Sequence, residues 1–161
     1  MLGTVYLIIG KVCSGKTTFA AYLSEKHKAV ILSCDKLLLT LHSGSTAFDF
    51  DAEISNVKKY LFNLTIALIN IGVNVVLDWG FWDVKERDDI DTLLSEKGIH
   101  HVWHYMMPDD DIWQKRICSR NAETRADEFY IDPGLLKKCN ENFNVPSVIE
   151  LKEKKVIIHD Q

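Results

Sequence analysis

Eight consecutive residues, Gly10-Lys11-Val12-Cys13-Ser14-Gly15-Lys16-Thr17, have the types and spacing to bind a polyphosphate. They follow Gly-x-x-x-x-Gly-Lys-Ser/Thr, the Walker A pattern of a phosphate-binding loop, or P-loop. Phosphate oxygens need many donors at close range. Glycines at both ends let backbone N–H groups converge with no Cβ in the way. A helix starting at the end of the loop adds the positive end of its dipole, and Thr18 falls in its first turn. Lys16 is placed to reach the β- and γ-phosphates of ATP, and the Thr17 hydroxyl to bind Mg2+. Cys13 reads as a small residue offering its amide, with an oxidisable thiol as the alternative.

Two carboxylates and two arginines complete an inventory for phosphoryl transfer. Asp35 and Asp78 each follow a predicted strand, as the P-loop does. In an open parallel sheet such positions share one rim, beyond the carboxyl ends of the strands. One acid accepts the proton of an attacking hydroxyl, and the other helps to hold Mg2+, which keeps several waters. Asp35 is expected as the base and Asp78 beside the metal. Arg116 and Arg120 are four apart on a predicted helix, so they project together toward charge on the transferring phosphoryl. Arg125 follows among Glu123, Asp127 and Glu128, where a surface salt bridge is the competing reading. Trp79, Phe81 and Trp82 read equally as a wall for an acceptor or as core aromatics. His101 cannot share a strand face with His100 and His104, which speaks against a metal cluster.

The elements that must position these residues alternate between strand and helix, which implies a parallel sheet covered on both faces. Strands are expected at 4–9, 29–33, 73–77, 99–106 and 155–159. Helices are expected at 16–26, 36–42, 52–71, 84–97 and from Pro108 through Arg120, with another from Pro133-Gly134 to about Phe143. The long 52–71 helix carries Ile54, Val57, Leu61, Leu64, Leu68 and Ile71 on one face and closes at Gly72. Because it can cross over, strand three is expected beside strand one, with Asp78 near the metal. Asp109-Asp110-Asp111 reads as helix capping and dipole complement rather than a metal site. Lys85-Glu86-Arg87-Asp88-Asp89 reads as a solvated helix face. Residues 43–46 read as loop, and polar residues 121–133 as a lid that closes over the site.

The bulk properties exclude some classes. A chain of 161 residues suggests one domain with a real core, and a net charge of −4 weighs against a long nucleic-acid partner. Cys13, Cys34, Cys118 and Cys139 show no pairing rhythm or Cys-x-x-Cys motif, so neither a disulfide framework nor zinc is expected. No apolar run approaches a membrane span, and the N-terminus opens directly into a strand. The expected location is cytoplasmic.

The P-loop, Asp35, Asp78-Trp79-Gly80-Phe81-Trp82 and Arg116-Ile117-Cys118-Ser119-Arg120-Asn121 together resemble the small bacterial AAA-type ATP-binding proteins of the P-loop kinase group. These are similar to polynucleotide kinase 5′-kinase domains, chloramphenicol phosphotransferase and zeta-toxin kinases. The resemblance implies an α/β three-layer P-loop NTPase fold with five parallel strands in the order 2-3-1-4-5 and a lid after strand four. It implies that the acid after strand two, here Asp35, is the general base. Arg116 and Arg120 look like the lid arginines of adenylate kinase, one stacking on adenine and one on the phosphates. Asp78-Trp79-Gly80-Phe81 is similar to that enzyme's Asp-Gly-Phe-Pro-Arg stretch, with Trp79 inserted and no arginine. Polynucleotide kinases place an arginine three residues after the base, where this chain has Leu38. No second acidic motif or sensor arginine supports a mechanical ATPase ring, and no Asn-Lys-x-Asp stretch supports guanine.

The sequence thus leads to a kinase that moves the γ-phosphoryl of ATP, with Mg2+, to a hydroxyl of an unidentified small molecule. The nucleotide contacts are Gly10 to Thr18, Arg116 and Arg120. Lys16, Asp35 and Arg120 carry the chemistry, and Thr17 and Asp78 hold the metal. The acceptor is expected between residues 36–60 and the Trp79–Trp82 stretch. The alternatives are a nucleic-acid 5′-hydroxyl kinase and a nucleotide-binding regulator with slow hydrolysis.

Overall fold

The computed structural model describes residues 1–42, 49–123 and 130–160, apart from the side chains of residues 50 and 51. The elements are β1 (Val5–Ile9), α1 (Lys16–His27), β2 (Ala29–Ser33), α2 (Cys34–Leu41), α3 (Phe50–Asn70) and β3 (Asn74–Gly80). They continue with α4 (Val84–Glu96), β4 (His101–Met107), α5 (Asp110–Ala122), α6 (Pro133–Asn142), α7 (Val148–Glu153) and β5 (Ile157–Asp160). The strands form one parallel sheet in the order β2-β3-β1-β4-β5, the expected 2-3-1-4-5 arrangement.

β1 is buried along its whole length, which explains why its sequence is apolar without alternation. Its side chains still alternate between the two faces of the sheet. Val5, Leu7 and Ile9 pack with Val57 and Leu61 of α3, Leu94 of α4 and Phe143. Tyr6 and Ile8 pack on the other face with Ala20 and Leu23 of α1. A third cluster joins Trp113 and Ile117 of α5 to Ile131, with Val12 and Cys13 of the P-loop against it.

Several boundaries shift for local reasons. α3 begins two residues early because the Asp49 carboxylate caps it, accepting from the Ala52 N–H at 3.1 Å. Strand three runs through Asp78 to Gly80 instead of ending at 77. Between the pairs Leu7↔Leu77 and Ile9↔Gly80, β3 uses three steps where β1 uses two. This bulge re-aims the side chains beside the P-loop. The six-residue helix α7 has no predicted counterpart: Ser147 caps it, but Val148 and Ile149 face solvent and blur its period.

The polar run 85–89 is not wholly solvated, because Arg87 is completely buried. It forms a two-pronged ion pair with Glu150 of α7. Among the described residues no group of three His, Cys, Asp or Glu is placed to hold a metal ion. His104 pairs instead with His159 of β5 at 3.1 Å, and burial pushes its imidazole down to about 4. The four cysteines are free thiols, and no described helix is long and apolar enough to cross a membrane.

Candidate functional site

The P-loop bridges β1 and α1 and is gripped from outside. The Gly10 N–H donates to the Gly80 carbonyl at 3.0 Å, and the Gly10 carbonyl accepts from Trp82 Nε1 at 3.1 Å. Trp113 Nε1 donates to the Val12 carbonyl at 2.7 Å, and Arg116 Nη1 to the Ser14 carbonyl at 3.1 Å. Carbonyls at positions 10, 12 and 14 are thereby turned toward the surrounding protein. That is the polarity an anion cradle requires, since the amides must point the other way. Cys13 takes a left-handed conformation (φ 57°) within the loop. The buried Ser14 hydroxyl has no hydrogen-bond partner, a polar atom suited to a phosphate oxygen.

Lys16 opens α1, and its Nζ donates to the Lys11 carbonyl at 2.6 Å. Burial pushes this ammonium below its ordinary value, while Asp78 and Asp35 act to hold the proton on it. Thr17 Oγ1 donates to Asp78 Oδ2 at 2.9 Å, which brings together the two residues expected at the metal. Both are hard oxygen ligands, and Asp78 is only 7% exposed, so the pair fits Mg2+. Thr18 is exposed in the first turn of α1.

Asp35 lies in the first turn of α2, one residue after β2 gives way to helix, with Ser33 as the cap. The residue is exposed at the surface, with neighbouring protein close enough to strip part of the water from its carboxyl. That crowding raises its carboxyl above the ordinary value. Lys16, Arg120 and Lys58 act in the opposite direction, and Asp78 reinforces the rise. Asp35 and the P-loop lysine Lys16 therefore act on each other electrostatically. Lys58 of α3 is also paired with Glu86 at 2.5 Å.

α5 carries its arginines to the same loop. Arg120 Nη1 lies 3.8 Å from Cys13 Sγ, one turn beyond the Arg116 contact to Ser14. Of the segment expected as a lid, Asn121 and Ala122 complete α5 and Pro133 opens α6. The Asn121 side chain ties down Ile131 through both backbone groups, at 2.7 and 3.0 Å. Arg125 and loop residues 43–46 lie outside the described residues. Lys11 also reaches toward α5 and α6, its ammonium 4.8 Å above the Trp113 ring and 3.5 Å from Asn140 Oδ1.

The aromatic stretch divides its work. Phe81 is fully buried, stacked on Trp79 and edge-on to Trp103, so it belongs to the core. Trp79 and Trp82 are half-buried, and their indole N–H groups bind Leu32 and Gly10 carbonyls. Leu38 is wholly inside the core. Sequence reasoning missed the clasping roles of Trp82 and Trp113, which depend on chain segments far away. It also missed Arg87, although Arg87, Ile90 and Leu94 recur at the three- and four-residue spacing of a buried helix face.

A family model described as AAA domain matches residues 5–146. No curated protein matches the chain by sequence. Solved structures share the fold. A candidate kinase from Chloroflexus aurantiacus superposes with TM-score 0.75 at 16% identity, covering 99% of this chain and 89% of that one. The Mycobacterium tuberculosis APS kinase CysC, solved with AMPPNP and APS, gives 0.67 at 16% identity, with 99% and 88% covered. Chaetomium thermophilum Kti12, solved with ADP-AlF3, gives 0.69 at 14% identity, with 97% and 88% covered.

Proposed function

The chain belongs to the AAA domain family, and on that premise we propose that it is an ATP-dependent phosphotransferase acting on a hydroxyl of a small molecule. The observation that carries this reading is the position of Asp35 just past the end of β2, whose last residue Ser33 is in register with Asp78, where Lys16, Asp78 and Arg120 act on its carboxyl. A nucleotide-binding regulator has no use for a carboxylate there, whereas a kinase needs a proton acceptor beside the phosphate site.

In the proposed reaction the loop amides and Lys16 hold the phosphates. Thr17 and Asp78 would hold Mg2+, which when bound would supply positive charge against the phosphate oxygens. The acceptor hydroxyl attacks the γ-phosphorus as Asp35 takes its proton. The bond to the β,γ-bridging oxygen breaks, and ADP leaves with that electron pair. Arg116 and Arg120 offset charge on the transferring group. The lid expected from the sequence is narrowed to the stretch between Ala122 and Ile131, because Asn121, Ile131 and Pro133 belong to the packed structure, and the chain works as one domain. The acceptor side lies between α2, α3 and Trp79. The absence of an arginine at Leu38, together with the negative net charge, favours a small acceptor over a nucleic-acid end.

The test is transfer of γ-labelled phosphate from ATP with Mg2+ to pooled acceptors: nucleosides, sugars, aminoglycosides, amphenicols and 5′-hydroxyl oligonucleotides. Transfer into one pool, lost in Asp35→Asn, supports the reading and narrows the acceptor. Slow hydrolysis equal in both proteins, with no acceptor labelled, would replace it with the regulator.

A further inference from the structure

We infer that Arg87 is a positioning residue for the P-loop, acting through the turn at Gly80–Trp82, with Glu150 holding it in register. The functional meaning rests on the reading of that loop as a nucleotide site. Arg87 sits in the first turn of α4, wholly buried, and Glu150 of α7 is 7% exposed. Arg87 Nε donates to Glu150 Oε1 at 2.6 Å and Nη2 donates to Oε2 at 3.0 Å. The remaining nitrogen, Nη1, donates to the carbonyls of Phe81 at 2.8 Å and Trp82 at 3.2 Å. All three guanidinium nitrogens are thus engaged, and the fork geometry that only arginine offers is used on two sides.

What Arg87 holds is an unusual piece of backbone. Gly80 and Phe81 both have positive φ, 84° and 45°. The left-handed region is unfavourable for a bulky side chain such as phenylalanine, so the surroundings must enforce it. The carbonyls of Phe81 and Trp82 point at Arg87, and the Trp82 carbonyl also accepts from the Asn144 N–H at 2.9 Å. The opposite side of the same turn meets the P-loop. The Gly80 carbonyl and the Trp82 indole bind the N–H and carbonyl of Gly10, the first residue of the phosphate motif. Two residues before the turn, Asp78 bonds Thr17. One guanidinium therefore sets the origin of the loop and the approach of the acid beside it.

An apolar pair could fill the same volume and glue α7 to α4 equally well, since a buried ion pair is often replaceable without loss of stability. It could not hold two carbonyls of a left-handed turn. That difference separates positioning from mere packing.

The experiment compares wild type, the double variant Arg87→Met with Glu150→Leu, and Arg87→Lys. The double variant removes both charges, and Arg87→Lys keeps the charge but loses the fork. Each is examined for thermal unfolding, for hydrogen exchange of the Gly10 amide and Trp82 indole without nucleotide, and for ADP affinity with Mg2+. The expected double variant still folds and melts somewhat below wild type, because the ion pair is replaceable but the Phe81 carbonyl loses its partner. Its Gly10 amide exchanges at least about tenfold faster, and it binds ADP at least about tenfold more weakly. A folded double variant whose Gly10 exchange matches wild type would overturn the inference. So would unchanged ADP affinity in a variant whose Gly10 amide has opened. Wild type that fails to bind ADP would remove the nucleotide reading, and Gly10 exchange alone would then decide the positioning role. If the double variant does not fold, Arg87→Lys carries the same comparison, with faster Gly10 exchange expected.

Discussion

Replacing Gly80 by alanine gives a graded test of how the P-loop is held. Gly80 has φ 84°, and a Cβ there would lie 2.7 Å from Trp82 Nε1, 3.0 Å from Trp82 Cδ1 and 3.3 Å from the Gly10 carbonyl oxygen. The left-handed conformation alone costs a non-glycine residue about 1–2 kcal/mol. The indole must also move, since 2.7 Å is too short for a carbon contact. That breaks its bond to Gly10, costing about 0.5–1.5 kcal/mol more. The sum is about 1.5–3.5 kcal/mol, or a melting temperature lower by roughly 3–14 °C for a domain of this size. Gly98 supplies the control. Its φ is 64°, but a Cβ there meets nothing within 4 Å, so only the conformational cost applies. Thermal unfolding of the two variants should show Gly80→Ala as the more damaging, and ADP titration should show weaker binding in it alone. Equal loss of stability with equal ADP affinity would refute the claim that the turn grips the loop.

Three further outcomes are expected. Asp35→Asn should lower phosphoryl transfer by about 10²–10⁴-fold while leaving ADP affinity nearly intact. Because its carboxyl is raised by crowding, the base form of wild type appears only as pH climbs through that raised value. Transfer should therefore rise with pH across that range, and the limb should vanish in Asp35→Asn; an unchanged pH–rate profile would remove Asp35 as base. Asp78→Asn keeps an acceptor for Thr17 but loses the negative charge, so ADP binding should become much less dependent on Mg2+, as calorimetry with and without the metal would show. Arg120→Ala should lower transfer by about 10²–10³-fold, and restored transfer with Arg120→Lys would indicate charge alone rather than the fork.

The sequence made one kind of information plain and hid another. The P-loop is continuous in the chain, so its spacing announces its chemistry. The strand before it and the helix after it follow from local pattern. The long α3 made the placement of β3 beside β1 legible, and the full strand order was what the family resemblance implied. Asp35 and Asp78 stood out as candidates because a parallel sheet sends the ends of its strands to one rim. The bulge that re-aims Asp78 has no such signature, since it exists only in the pairing of β3 with β1.

What stayed hidden is the support of the loop, which comes from across the chain. Trp82 is 72 residues from Gly10, Trp113 is 101 from Val12 and Arg116 is 102 from Ser14. Each contact is a side chain meeting a backbone carbonyl, and a carbonyl is the same at every position, so no local pattern can mark the pair. Arg87 adds a second disguise. It lies in a charged run that looks solvated, yet its helix spacing places it with Ile90 and Leu94. A buried charge at such a position needs a partner, and the partner is on α7, a helix too short and too exposed to be read. The chemistry of this site is therefore written locally, but its rigidity is distributed. Substitutions far from the phosphate motif can loosen the loop without touching a residue that meets the nucleotide.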